Sequence, residues 1–146
     1  MRKVDFRDWI FEVDFELTKK TFEIENGGSS DTCECGYCKN FREQRELAYP
    51  KEIQTLFENL GIDLTKENEV SEVYQLENGL HNYLGQFYFA GKILSGERCS
   101  KPNSGDIELL PITENFSIGF REAQNNSFIE IWFQTNLPLS VNYQKS

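Results

Sequence analysis

Apolar and polar residues alternate along the first part of the chain. From residue 9 to residue 17, an apolar side chain occupies every second position, and mostly acidic residues lie between them. This period of two predicts a half-buried strand. Thr18-Lys19-Lys20 is predicted to turn the chain, and Phe22 and Ile24 continue the alternation. The pattern therefore predicts a hairpin with one apolar and one acidic face.

Two helices are predicted after this hairpin, beyond a polar loop at residues 26 to 31. Residues 41 to 48 are rich in good helix formers. Pro50 suits the first turn of a second helix, and Gly61 suits its C-terminal cap. Between them, apolar residues recur with the spacing of one helical face, at Ile53, Leu56, Phe57 and Leu60.

Asn78-Gly79 is a strong signal for a tight turn between two strands. The segments on either side, residues 72 to 77 and 80 to 93, have the composition of strands. Gly85 and Gly91 interrupt the second segment and predict a bulge or a close backbone approach.

The last third of the chain predicts a polar loop at residues 95 to 106 and a strand at residues 116 to 120. Residues 124 to 127 are predicted to turn, and residues 128 to 135 to form the final strand. This strand is apolar on both faces, which predicts a central position in the sheet. Together, the patterns predict a single α+β domain over residues 1 to 146, mostly antiparallel sheet with two helices inserted after the first hairpin.

Charge excludes some functions. The 146 residues carry a net charge of −9, which argues against binding to nucleic acid or to an anionic membrane surface. It fits either simple solubility or a basic protein partner. The N-terminus lacks the apolar region of a signal peptide, and no apolar run approaches a membrane span, so a cytoplasmic protein is expected.

The densest chemistry is the run Cys33-Glu34-Cys35-Gly36-Tyr37-Cys38. Two thiolates in a C-x-x-C turn can hold one zinc ion, and Cys33 would add a third. The remaining soft donors are His81 and Cys99, so the fourth ligand is expected from one of them. His81 has a second interpretation as a hydrogen-bonded core residue.

Two alternatives to a metal site remain open for the same cysteines. Cys38 directly precedes the predicted helix, whose N-terminus stabilises a thiolate, and Cys35 would then act as the resolving thiol of a redox enzyme. The other alternative is three reduced cysteines without a function. A cytoplasmic location makes stabilising disulfides unexpected.

A further alternative rests on the acidic face predicted for the first hairpin. Its carboxylates could dock a basic enzyme, as in an inhibitor or immunity-type protein. The residues of this predicted face are Glu12, Asp14, Glu16, Glu23 and Glu25.

The chain resembles a family of small uncharacterised bacterial proteins. The resemblance covers roughly the middle half of the chain and rests on C-x-C-x-x-C-x-N-F from Cys33, on the helix end Leu60-Gly61-Ile62-Asp63, and on G-x-H-x-Y-x-G-x-F-x-F-x-G from Gly79. It implies that the three clustered cysteines and His81 belong together, and it leaves Cys99 outside the motifs. The expected function is that of a small acidic binding or interaction protein, non-enzymatic, with structural zinc in its cysteine loop.

Overall fold

The structure is a computed structural model that describes residues 1 to 100, 106 to 124 and 127 to 139. Pro102 and Gly105 of the predicted polar loop, and Asn125 and Asn126 of the predicted last turn, lie outside these residues. Within them, no helix is long and apolar enough to cross a lipid bilayer.

The protein has an α+β fold in which every strand pair is antiparallel. Its elements are, in chain order, β1 (Arg2–Phe6), β2 (Trp9–Val13), α1 (Phe15–Ile24), α2 (Ser29–Thr32), α3 (Gly36–Glu43), α4 (Arg45–Ala48), α5 (Lys51–Leu60), β3 (Glu69–Gln75), β4 (His81–Ser95), β5 (Leu110–Thr113), β6 (Phe116–Glu122) and β7 (Phe128–Leu137).

The predicted first hairpin is wrong, because residues 15 to 24 form the helix α1. Asp14 caps this helix, its carboxylate accepting a hydrogen bond from the Leu17 backbone N–H at 3.1 Å. Thr18 and Phe22 are buried at helical spacing, so the core selects the helix although the alternation also fits a strand. The first hairpin instead pairs β1 with β2, and β1 was missing from the predicted elements.

The strand β4 organises the sheet. β7 pairs with one edge of β4, while β3 and β2 share the other edge, at residues 81 to 86 and 91 to 95 respectively. The sheet order is β1-β2-β4-β7-β6-β5, with β3 beside β4. The predicted central position of the last strand is therefore confirmed. The helices of the described residues all lie between β2 and β3 in sequence, so the chain leaves the sheet after β2, at one end of this edge of β4, and returns as β3 at the other end.

The core lies between the sheet and the helices that precede β3. The helix α5 has the predicted apolar face, and Gly61 ends it in the left-handed conformation at φ 86°. Tyr49 lies at the centre of the aromatic core, with four other rings 5.4 to 6.1 Å from its own. This packing supplies an apolar interior for the sheet and leaves α2, whose one buried residue is Ser30, at its margin.

The two predicted close approaches in β4 are present. Gly85 pairs directly with Phe133 of β7, and a Cβ at Gly85 would lie 2.2 Å from the Phe133 ring. A Cβ at Gly91 would lie 2.1 Å from the backbone oxygen of Glu12. In both places the absence of a side chain allows a neighbour to cover the strand.

We expect Gly85→Ala to lower the free energy of unfolding by about 1–3 kcal/mol, because the added methyl group overlaps the buried Phe133 ring. Urea unfolding measures this loss. Phe133→Leu alone should also destabilise the protein by leaving a cavity, whereas the double variant should lose less than the sum of the two. Additive losses would contradict a direct clash between these residues.

Candidate metal centre

Three cysteine sulfurs meet at the junction between α2 and α3. Cys33 follows the last residue of α2, Cys35 caps α3, and Cys38 lies in the first turn of α3. The three sulfur atoms all lie within 4.8 Å of one another, and the Sγ atoms of Cys33 and Cys35 are 3.2 Å apart. Three of the predicted ligands are thus close enough to coordinate one metal ion.

The start of α3 brings these thiols together. The Cys38 backbone N–H donates a hydrogen bond to Cys35 Sγ at 3.4 Å, so the C-x-x-C segment forms an N-terminal cap. The predicted start of the helix at residue 41 is wrong, because α3 already begins at Gly36 and a separate helix, α4, follows it. Cys38 is therefore inside the helix, and Cys35 takes the capping position that the redox hypothesis gave to Cys38.

This placement shifts the pKa values of Cys35 and Cys38 in opposite directions. Burial by itself would raise the pKa of Cys35. Hydrogen bonds from the Cys38 backbone N–H and from neighbouring groups outweigh this effect, so the pKa of Cys35 lies below its ordinary value. Burial raises the pKa of Cys38 well above the ordinary value, and the neighbouring thiols add to that effect. A redox mechanism with Cys38 as the attacking thiolate is therefore disfavoured.

The helix α3 is fixed on the sheet by buried hydrogen bonds. The Tyr83 hydroxyl of β4 donates to the backbone oxygen of Tyr37 at 3.0 Å, and the Asn40 side-chain amide donates to Tyr83 Oη at 3.1 Å. Asn40 is fully buried and Tyr83 is 1% exposed. Two of the three thiols therefore lie on a helix whose position is set by the core.

The helix α2 is held by a buried ion pair. The Glu67 carboxylate is fully buried, and it accepts hydrogen bonds from Arg45 at 2.9 Å and from the Ser30 hydroxyl at 2.6 Å. Arg45 also contacts Asp31 at 3.1 Å. We call these four residues the Arg45 cluster. Gly28 is required beside it, because a Cβ there would lie 1.6 Å from a Glu67 oxygen.

The electrostatics of the Arg45 cluster reflect its burial. Burial raises the pKa of Glu67 above the ordinary value, although the hydrogen bonds from Ser30 and Arg45 act in the opposite direction. Burial also raises the pKa of Asp31, but hydrogen bonds from Arg45 and from the Gly28 backbone outweigh it, so the pKa of Asp31 is lowered. Arg42 adds a second tie by donating to the backbone oxygens of Ser30 and Cys33.

A cavity of about 470 Å³ opens beside the three thiols, between the helices and β3. Apolar and aromatic side chains form much of its wall, among them Tyr37, Phe41 and Val70. Two acidic residues, Glu69 and Glu72, are among the residues that line the same cavity. The thiols therefore line an open pocket whose mostly apolar wall also includes two acidic residues.

His81 lies close to this cavity and outside the group of three sulfurs. It is 5% exposed, its ring centre is 5.4 Å from that of Tyr37, and its Nδ1 is 3.6 Å from Glu72 Oε2. Neither ring nitrogen has a hydrogen-bond partner in the part of the chain that the structure describes.

Cys99 is also outside the group of three sulfurs. It packs on β6, where its backbone N–H donates to the Phe120 backbone oxygen at 2.8 Å and a Cβ at Gly119 would lie 2.5 Å from its own Cβ. Burial raises the pKa of Cys99 to about 11, as expected for a thiol packed as an apolar side chain.

The hairpin that was predicted to carry the acidic face does not form, because residues 15 to 24 are the helix α1. Glu12 lies on β2 and Asp14 caps α1, whereas Glu16 and Glu23 belong to α1 and Glu25 follows it. The face was inferred from strand alternation, which does not apply to α1, where Glu16 and Glu23 are seven residues apart and lie on one side of the helix.

Sequence patterns missed Arg45, Glu67 and Glu72 as parts of the candidate site. They lie 7 to 34 residues beyond Cys38, on a different helix and in or near β3, so no local spacing links them to the cysteines. Searches against protein-family models, curated proteins and solved structures found no match for this chain. The resemblance to a bacterial family stays a prediction.

Proposed function

We propose that this protein is a small, acidic, non-enzymatic binding protein whose cysteine loop is ordered by one zinc ion bound to Cys33, Cys35 and Cys38. The observation that carries the proposal is the mutual distance of the three sulfurs, all within 4.8 Å. Tetrahedral zinc with Zn–S bonds near 2.3 Å places its sulfurs about 3.8 Å apart. Shifts of less than about 1 Å would therefore fit the thiols around one ion.

Zinc suits this donor set better than the common hard cations. Thiolates are soft ligands that select zinc, copper(I) or iron–sulfur clusters, whereas magnesium and calcium prefer oxygen. Among the soft alternatives, zinc needs neither a redox partner nor a second metal, and C-x-x-C is the usual spacing for its thiolates.

A structural role follows from where the ion would lie. The segment from α2 to the start of α3 contributes few apolar side chains to the core, so hydrogen bonds and the Arg45 cluster hold it in place. A metal bound by three thiolates would link the end of α2 to α3, and its binding energy would add to the stability of this loop. Such free thiols fit a reducing compartment, and we propose the cytoplasm.

The test compares zinc content and thiol protection in protein purified without chelator and without a histidine tag. We expect about one zinc per chain in the natural protein and in the control Cys99→Ser, whose substitution lies outside the group of three sulfurs. Cys33→Ser, Cys35→Ser and Cys38→Ser should each lower the zinc affinity by more than about 100-fold, because each removes a direct ligand.

Thiol reactivity supplies the second readout of the same experiment. Zinc should slow the alkylation of Cys33, Cys35 and Cys38 until a chelator is added. Two results together would contradict the proposal. The natural protein would contain no zinc after purification, and its clustered thiols would react at the rate of free cysteine whether or not zinc is added.

A thiol-based redox function is the second candidate, and the 3.2 Å distance between the sulfurs of Cys33 and Cys35 favours it. Hydrogen peroxide would oxidise these two thiols to one disulfide, with loss of two protons and two electrons, and would itself be reduced to two molecules of water. Metal-free protein that forms this disulfide reversibly, as mass spectrometry would detect, would move this candidate ahead of zinc.

A further inference from the structure

Glu72 is a mostly buried carboxylate without a permanent cation beside it. Its side chain is 14% exposed and lines the cavity that the three thiols share. Among residues 1 to 100, 106 to 124 and 127 to 139, no lysine or arginine pairs with it, and its only ion-pair contact is His81 at 3.6 Å. Buried carboxylates are normally paired or bound to a metal, so this site lacks a positive charge.

His81, which lies beside Glu72, is a second buried polar side chain that lacks a hydrogen-bond partner among the described residues. It is 5% exposed, and both ring nitrogens are buried without a hydrogen-bond partner in the described part of the chain. The 3.6 Å between His81 Nδ1 and Glu72 Oε2 is slightly too long for a hydrogen bond, and a small movement of Glu72 would complete one. Carboxylates that bind metals are themselves held by such hydrogen bonds.

On the premise of the proposed zinc site, we infer that Glu72 supplies the fourth ligand and that His81 is a positioning residue that holds its carboxylate. Glutamate oxygen is an accepted zinc ligand at about 2.0–2.2 Å. In the structure the carboxylate lies outside the group of sulfurs within 4.8 Å of one another, so binding requires its side chain to rotate toward the ion. This assignment replaces His81 and Cys99 as direct ligands.

The alternation of side chains along β3 distinguishes Glu72 from Glu69 as the fourth ligand. Val70 and Glu72 are the partly buried residues of this strand, whereas Glu69 and Ser71 are exposed. Both glutamates line the cavity, but only Glu72 lies beside His81. Glu69→Gln is therefore a matched control, since it removes the same charge from the same strand on the face opposite to Glu72.

The test is a zinc titration in competition with a chromophoric chelator, using natural protein, Glu72→Gln, Glu69→Gln and His81→Phe. We expect Glu72→Gln to weaken zinc binding by at least about 10-fold and His81→Phe by about 10-fold, as for ligand and supporting residues elsewhere. Glu69→Gln should stay within about twofold of the natural protein. Circular dichroism in chelator checks that each variant folds.

Cobalt(II) in place of zinc reports on the ligands directly. Glu72→Gln should alter the visible ligand-field bands of the cobalt protein, while the sulfur-to-cobalt charge transfer keeps the intensity of three thiolates. His81→Phe should lower affinity and leave those bands near their natural positions, which a general loss of folding would not do.

Equal zinc affinity and equal cobalt spectra for Glu72→Gln and the natural protein would overturn this inference and leave the three-thiolate site intact. Natural protein that binds no zinc would instead overturn the proposed function, and with it the role of Glu72. The two failures are therefore distinguishable in one set of measurements.

Discussion

Arg45→Met is expected to lower the free energy of unfolding by about 3–5 kcal/mol, because it leaves a buried carboxylate without its cation. Glu67 is fully buried, and Arg45 is the residue that pairs with its charge. Methionine keeps most of the apolar length of arginine, so the loss reports mainly on charge. Urea unfolding in the presence of reductant and chelator would measure it apart from any metal.

Two controls separate this effect from the loss of any arginine. Arg7→Met breaks a salt bridge with Glu52 in which both side chains are 42% exposed, and it should destabilise the protein much less than Arg45→Met does. The double variant Arg45→Met/Glu67→Gln removes the buried charge and should recover part of the loss. Equal effects of Arg7→Met and Arg45→Met would contradict the role given to the Arg45 cluster.

The loss in the free energy of unfolding that Arg45→Met causes, here called its deficit, should also depend on pH. Burial already raises the pKa of Glu67, and removing Arg45 takes away interactions that lower it, so the pKa rises further. A carboxyl whose pKa is higher in the folded than in the unfolded state favours folding most when protonated. The deficit relative to the natural protein should therefore shrink as pH falls from about 7.5 toward about 4.5.

Zinc is expected to raise the free energy of unfolding by about 2.7 kcal/mol at a free concentration 100 times the dissociation constant, and by about 4.1 kcal/mol at 1,000 times. The reason is mass action, since the folded chain holds the three thiols at fixed mutual distances, and any zinc bound by the unfolded chain would reduce the gain. Thermal or urea unfolding in zinc buffers of defined free concentration would measure the dependence.

Cys99→Ser and Cys38→Ser make the matched pair for this prediction. Cys99 lies outside the thiol group, so its variant should show the full zinc-dependent shift, whereas Cys38→Ser should show almost none. Both substitutions remove a buried cysteine. The stability of each variant without metal therefore measures the cost of that removal, which can be subtracted from the effect of zinc. The same zinc-dependent shift in both variants would contradict binding at the cysteine loop.

Some elements were predicted correctly because their signals are local. The helix α5 carries an apolar face at helical spacing and a glycine where its backbone turns left-handed. The Asn78-Gly79 turn joins β3 and β4 into a hairpin. Gly85 and Gly91, which interrupt β4, are both sites where a neighbouring group approaches the strand closely. In each case the residues that specify the conformation lie within the element that they specify.

The failure at residues 15 to 24 has an identifiable cause. The alternation of the preceding strand continues into this segment, so a period of two and a helical face compete for the same residues. The Asp14 cap favours the helix locally, and Thr18 accepts the Ala90 N–H of β4 at 3.0 Å through its side chain. That contact joins residues 72 positions apart, and no local pattern contains it.

The sequence by itself determined the α+β class, the helix α5, the central last strand and the presence of three cysteines within six residues. Spacing along the chain suffices for these features, because they arise from short-range geometry. Only the tertiary structure decided that Cys33, Cys35 and Cys38 meet without His81 and Cys99, and that Glu72 faces the same cavity. Those relations depend on how β3 and β4 pair and on how α3 packs against them, and such long-range contacts leave no periodic trace in a single chain.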